Sequence, residues 1–153
     1  MPYDCPHMKL RVVWIGKTKE SAIQTLTGEY LKRLSRYVAT EGLEIGSEEA
    51  LLKLKDRPGR TAPVLVLMDE RGKQVGSEEL ANFLGYHRDQ GVQDLIFAIG
   101  PSDGWQKETL KSATQVLSMG KMTLPHELAR VVLLEQLYRG YTILTGHPYH
   151  GGH

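Results

Sequence analysis

Met8–Gly16 (MKLRVVWIG) alternates polar and apolar positions, passes through an apolar centre and stops at a glycine, the pattern of a first β-strand. Ser21–Val38 then brings Ile23, Leu26, Tyr30, Leu34 and Tyr37 round at helical spacing. Lys32, Arg33 and Arg36 fall late in that segment, where they suit the negative end of the helix dipole. Leu43–Ile45 reads as a short second strand, and Ser47–Lys55 as a helix closed by Pro58-Gly59. Pro63–Met68 (PVLVLM) and Asp94–Ile99 (DLIFAI) are continuous apolar runs of strand length, the mark of strands buried on both faces. Between them Ser77 opens a helix with Glu78 and Glu79 in its first turn, running to Gln90 and stopped by Gly91. A helix from Gln106 and a short strand at Gln115–Ser118 follow.

The last helix has the strongest signature. Pro125 suits its first position, Glu127 its first turn, and apolar residues run from Leu128 to Leu144. Around Val131-Val132-Leu133-Leu134 and Leu137-Tyr138 the apolar surface is wider than one stripe, which predicts a partner subunit as its cover. Strands alternating with helices predict an α/β fold with a mainly parallel sheet. The sequence Gly-Ser-Glu-Glu occurs twice, at Gly46–Glu49 and Gly76–Glu79, and reads as shared capping chemistry rather than a repeat.

At 153 residues there is room for one ordinary domain. The leading MPYDCPH, with two prolines and no period, reads as a segment outside the fold, leaving 8–153 as the domain. The longest apolar run, Ala62–Met68, is far short of the roughly 18 residues that span a bilayer. The single cysteine, Cys5, cannot form an internal disulfide, which makes a reducing, cytoplasmic compartment the default. With 19 Lys plus Arg against 18 Asp plus Glu, the chain does not coat nucleic acid by charge alone; a local basic face stays open.

In parallel sheets, ligands collect beyond the carboxyl ends of the strands. Three segments fall there: Met68–Gly72, Ile99–Gly104 and Met119–His126. Their glycines let backbone groups approach a ligand closely, though glycine and proline also punctuate ordinary turns. No Gly-x-x-x-x-Gly-Lys-[Ser/Thr] or Gly-x-Gly-x-x-Gly motif occurs, so a phosphate-cradling kinase or NTPase is not indicated. His147, His150 and His153 recur every third residue, but Pro148 and two glycines break any helix there, and no thiol or acidic ligand is near. The tail fits an acid/base or substrate-contact element better than a metal site. Glu135 and Arg139, four apart, read on spacing as an ion pair, and His87 as solvated surface.

Read together, the MKL…G strand, Met68-Asp-x-x-Gly72, Ile99-Gly-Pro-Ser-Asp-Gly104, Thr123-Leu-Pro-His126-x-x-x-Arg130, Glu135-Gln-x-Tyr-Arg139 and His147-Pro-Tyr-His150 resemble the RlmH family. These are the large-subunit rRNA pseudouridine N3-methyltransferases of the SPOUT class. The resemblance covers Met8–His150 and rests on the ordered set of motifs rather than on any one of them. It implies a sheet of five or six strands with helices on both faces, a C-terminal trefoil knot and a homodimer. It implies S-adenosylmethionine as methyl donor, held by Met68, Gly100 and the run Met119, Gly120, Lys121, Met122, Thr123 and Leu124, with no metal. It implies a pseudouridine in helix 69 of 23S rRNA, on the assembled ribosome, as substrate, with no role for DNA or a membrane. Arg139 is the matched cation for the developing imide anion, Glu135 its orienting partner, Tyr149 part of the closing tail and His150 the proton acceptor. His126 supports the cofactor loop. Pro101 stands where the family has a second glycine, and Met68 where it has leucine. Two other readings stay open: a SPOUT enzyme with another RNA target, and a dimeric binding module without catalysis.

Overall fold

The computed structural model describes residues 8–56 and 61–147; the expectations for the first seven residues, Pro58-Gly59, Tyr149 and His150 lie outside them. Five strands form one sheet: β1 (Lys9–Ile15), β2 (Ala39–Ile45), β3 (Val64–Gln74), β4 (Asp94–Ile99) and β5 (Gln115–Ser118), in the order β2-β1-β4-β3-β5. Every pairing is parallel. The helices are α1 (Ser21–Leu34), α2 (Glu48–Lys55), α3 (Ser77–Asp89), α4 (Lys107–Ser112) and α5 (His126–Thr145).

Alternation within the apolar strands sorts the core onto two faces. Leu10, Val12, Val66, Leu95 and Phe97 pack against Leu34 of α1, Leu80 and Leu84 of α3, and Leu133, Leu134 and Leu137 of α5. Val13, Leu65, Leu67, Ile96 and Ala98 face the other way, onto Leu51 of α2, Trp105 and Leu110. Helices therefore cover both faces, and all strands end on one side.

Several boundaries differ from the sequence reading. Helix α1 stops at Leu34 rather than Val38, because Arg36 N–H and Tyr37 N–H turn to carbonyls three residues back as the chain reverses into β2. Strand β2 begins at Ala39, not Leu43, and all seven residues pair with β1. Pro125 is the cap of α5, with extended backbone, not its first helical residue. Much of the apolar belt of α5 is covered within the chain: α1 and α3 flank it, and Val131, Leu133, Leu134, Leu137, Tyr138 and Tyr141 are buried, while Leu128 stays exposed. Helices α3 and α5 run parallel and close together, with Gly140 against Leu84 and Gly85 against Leu144. His87, expected in solvent, packs on Phe83 with ring centroids 4.4 Å apart, and burial lowers its pKa.

The two Gly-Ser-Glu-Glu segments cap differently. Ser47 accepts from Ala50 N–H through its hydroxyl, as an N-cap serine does. At the second segment Gly76 is the cap residue, and the Glu79 carboxylate reaches back to Gly76 N–H at 3.0 Å. The Ser77 hydroxyl is left for another partner.

Candidate active site

Beyond the carboxyl ends of β3, β4 and β5 the three sequence-marked segments meet in one cleft of about 730 Å³. It is lined by Met68–Arg71, Ile99–Trp105, Met119, Gly120, Met122–His126 and Ala129. That volume is in the range of a cofactor pocket. Of the eight expected cofactor positions, seven lie in its walls. Lys121 does not; it is exposed and outside the lining.

Each wall has a local cause. Met68–Gly72, expected as a loop, lies inside the bounds of β3, but its pairing lapses: Met68 and Lys73 both stand opposite Leu117 of β5. The four residues between bulge out, and Asp69, Glu70 and Arg71 join the cleft wall. Asp69 Oδ1 accepts from Arg71 N–H at 2.8 Å and from the Arg71 guanidinium. Burial pushes the Asp69 carboxyl up, but the bonds and charge from Arg71 outweigh it and hold the pKa below the ordinary value.

The second wall turns at Pro101, whose carbonyl accepts from Gly104 N–H at 3.0 Å. Gly104 takes φ of +91°, where a side chain is disfavoured. Pro101 thus serves through its carbonyl, and the N–H it lacks is not used by this turn. Trp105, which the sequence reading did not single out, donates its indole N–H to the Met68 carbonyl at 3.0 Å and locks the second wall to the first. A Cβ at Gly100 would sit 2.6 Å from the Trp105 ring, so glycine there is what admits the indole. A tryptophan just after a Gly-Pro-x-x-Gly turn was the available signal.

In the third wall Ser118 Oγ both accepts from Gly120 N–H and donates to the Gly120 carbonyl, closing a tight turn at a glycine with φ of +137°. Thr123 Oγ1 donates to Glu70 Oε2 at 2.7 Å, tying the loop to the β3 bulge. His126 enters the wall at the start of α5; burial, and then the nearby Arg130 charge, lower its pKa, so it is neutral near pH 7. Arg130 is fully buried, with its guanidinium 4.0 Å from the Trp14 ring centroid and Nη1 donating to Thr18 Oγ1 at 2.9 Å. Its Nε and Nη2 have no hydrogen-bond partner among the described residues. Glu127 accepts the backbone N–H groups of Lys19 and Glu20. Together Arg130 and Glu127 pin the β1–α1 turn to the start of α5.

Glu135 and Arg139 pair as expected, Arg139 Nη2 to Glu135 Oε2 at 2.9 Å, each about one-fifth exposed. They do not line the cleft: Arg139 lies ten residues beyond Ala129, about 15 Å along the helix axis. A smaller cavity of about 260 Å³ fills that interval. It shares Met68 and Met119 with the cleft and reaches Ser77 and Gln136. Among the described residues no group of three or more His, Cys, Asp or Glu is placed to hold a metal ion, and no helix is long and apolar enough to cross a membrane.

The family model described as predicted SPOUT methyltransferase matches residues 8–150. A protein of Geobacter sp. (strain M21) named ribosomal RNA large subunit methyltransferase H is 45% identical, over 94% of this chain and 99% of that relative. Its namesake from Allorhizobium ampelinum is 38% identical over the same shares. Two solved structures share the fold. The SpoU methyltransferase AviRb from Streptomyces viridochromogenes, in complex with the cofactor AdoMet, has a TM-score of 0.54 at 14% identity, over 87% of this chain and 58% of that one. A probable methylase family protein from Haemophilus influenzae Rd KW20 has a TM-score of 0.56 at 12% identity, over 92% and 69%. With the family model spanning nearly the whole chain and close relatives matched end to end, this chain belongs to the SPOUT methyltransferases, in the family of the ribosomal RNA large subunit methyltransferases H.

Proposed function

We propose that this chain methylates N3 of a pseudouridine in helix 69 of 23S rRNA, on the assembled ribosome, with S-adenosylmethionine as donor. Residues 8–153 act as one methyltransferase domain in the cytoplasm, with the C-terminal part threaded as a trefoil knot. The observation that carries the reading is the meeting of three glycine-bearing walls in one cleft at the strand ends, with seven of the eight residues that the resemblance assigns to the cofactor in its lining. The lining fits the group: backbone groups of Met68, Gly100, Met119 and Gly120 stand beside the apolar side chains of Ile99 and Leu124 and the polar ones of Asp69, Glu70 and Thr123, a mixed surface suited to an adenosyl group.

Bound there, S-adenosylmethionine supplies an electrophilic methyl on a sulfonium. The protein must do the rest. Pseudouridine N3 is a nucleophile only as its imide proton leaves, and attack must be in line, so positioning supplies much of the rate. The Arg139 guanidinium, held by Glu135, stabilises charge that develops on the base carbonyls. His150 takes the N3 proton, and Tyr149 closes over the base.

The active unit is a homodimer, and chain reach supports this. Helix α5 is 20 residues, about 30 Å, with His126 at the cleft and His147 past the far end, edge-on to Tyr37. The three residues from His147 to His150 span at most about 10 Å. Three residues cannot cover the length of α5, and we take the tail to serve the cleft of a second copy.

Two measurements test the reading. Mass spectrometry of 23S rRNA from a deletion strain must show loss of one methyl at a helix 69 pseudouridine, restored by the gene; loss at another base or in tRNA would give a different target. Arg139→Ala, or removal of Tyr149–His153, must abolish methylation while calorimetry still detects S-adenosylmethionine binding. A chain that shows no saturable binding is a binding module instead.

A further inference from the structure

Ser77 and Gln136 have no role in the reading above, yet they stand between the cofactor cleft and Arg139. The Ser77 hydroxyl donates to Gln136 Oε1 at 2.5 Å. Gln136 Nε2 donates to Glu135 Oε1 at 2.9 Å, and Glu135 in turn takes Arg139 Nη2 on Oε2 and Nε on Oε1. Four side chains from two helices thus form one directed line of hydrogen bonds ending on the guanidinium. The direction is chemically determined: a hydroxyl gives its proton to an amide oxygen, the amide nitrogen can only donate, and the carboxylate can only accept.

Two further observations set this line apart from ordinary surface pairing. Ser77 occupies the place in Gly-Ser-Glu-Glu where, in the first copy, Ser47 caps its own helix, but here Glu79 has taken over the cap and the hydroxyl is turned to α5. Ser77 and Gln136 also line the 260 Å³ cavity that opens beside Met68 and Met119, so the line begins at the cofactor side of the site. An Arg–Glu pair at i,i+4 by itself contributes only about 0.3–0.5 kcal/mol when exposed. The Gln136 amide adds a bond on Oε1 that further restrains the orientation of the carboxylate.

We infer that Gln136, set by Ser77, is a positioning residue that fixes the Glu135 carboxylate and through it the Arg139 guanidinium for methyl transfer. This rests on the catalytic role proposed for Arg139. The assay is steady-state transfer of labelled methyl from S-adenosylmethionine to ribosomes isolated from a strain lacking this protein. Gln136→Leu keeps the volume and removes both bonds; kcat is expected to fall about tenfold or more, as for a misplaced transition-state contact. KM for S-adenosylmethionine and the melting temperature stay near wild type. Ser77→Ala gives a smaller fall of the same kind, Ser77→Thr restores activity, and the Ser77→Ala/Gln136→Leu double variant is no slower than Gln136→Leu alone, because the two act in series. Wild-type kcat in Gln136→Leu, or losses that multiply in the double variant, overturns the inference. The Arg139 proposal fails separately: Arg139→Ala would then retain activity whatever Gln136 does.

Discussion

Gly72 lies where the β3 bulge returns onto β5, and the space there is already full. A Cβ on Gly72 would stand 2.7 Å from the Val116 carbonyl oxygen, 2.8 Å from its carbon and 2.9 Å from the Leu117 carbonyl carbon. Contacts of this kind are comfortable only near 3.5 Å, so Gly72→Ala must push the two strands apart by about 0.7 Å. The obstacles are backbone atoms, which cannot swing aside as a side-chain end does. Overpacking of this sort costs about 1–3 kcal/mol. For a domain of this size about 2 kcal/mol lowers Tm by about 4–8 °C. Because β5 runs directly into the Met119–Leu124 wall, part of the shift reaches the proposed cofactor slot; if about 1 kcal/mol appears there, S-adenosylmethionine binds about fivefold more weakly. Gly28→Ala is the internal control. Gly28 is in the middle of α1 with nothing within 4 Å of a built Cβ, so alanine there stabilises by about 0.4–1 kcal/mol and raises Tm. Differential scanning calorimetry and binding titrations on both variants decide the matter. If Gly72→Ala melts and binds as the wild type does, the close return of β3 on β5 is wrong.

Other consequences follow from the buried charges. His126 and His87 both have lowered pKa values through burial, His126 also through Arg130. As pH falls below about 6.5 the unfolded chain takes up protons that the folded one resists, so stability is intact above that pH and declines below it. Melting temperatures between pH 5 and 7.5 should show the decline, and His126→Gln and His87→Gln should each flatten it; an unchanged slope in both would count against the burial of these rings. Arg130 carries two unpartnered donors against its stacking on Trp14 and its bonds to Thr18 and Thr27. Each orphan costs about 1–3 kcal/mol, comparable to the about 2 kcal/mol of a desolvated cation–π contact, so Arg130→Met should unfold in urea within about 1 kcal/mol of wild type. Arg130→Ala, which leaves a cavity, should lose about 2–4 kcal/mol; equal losses in the two variants would mean that charge rather than bulk holds the site.

The alternation in Val64–Leu67 and Asp94–Ile99 and the helical spacing through Leu128–Leu144 are local properties, set by neighbours two to four residues away, and for that reason the strands and α5 stand close to where the pattern puts them. The three walls of the cleft were legible too, because glycines and prolines mark chain reversals at strand ends. What the pattern did not show is which side chains meet across long separations. Trp105 reaches Met68 over 37 positions, Ser77 reaches Gln136 over 59, and Thr123 reaches Glu70 over 53. Nothing near Ser77 in the chain says that its hydroxyl forsakes the cap, and nothing near Met68 says that β3 bulges and resumes pairing at Lys73. The width of the α5 belt was legible, but not that α1 and α3 cover much of it, since they converge on it only once the sheet brings them to one face. Composition and period determine which segments are buried; the order of strands in the sheet decides what each buried group finds when it gets there.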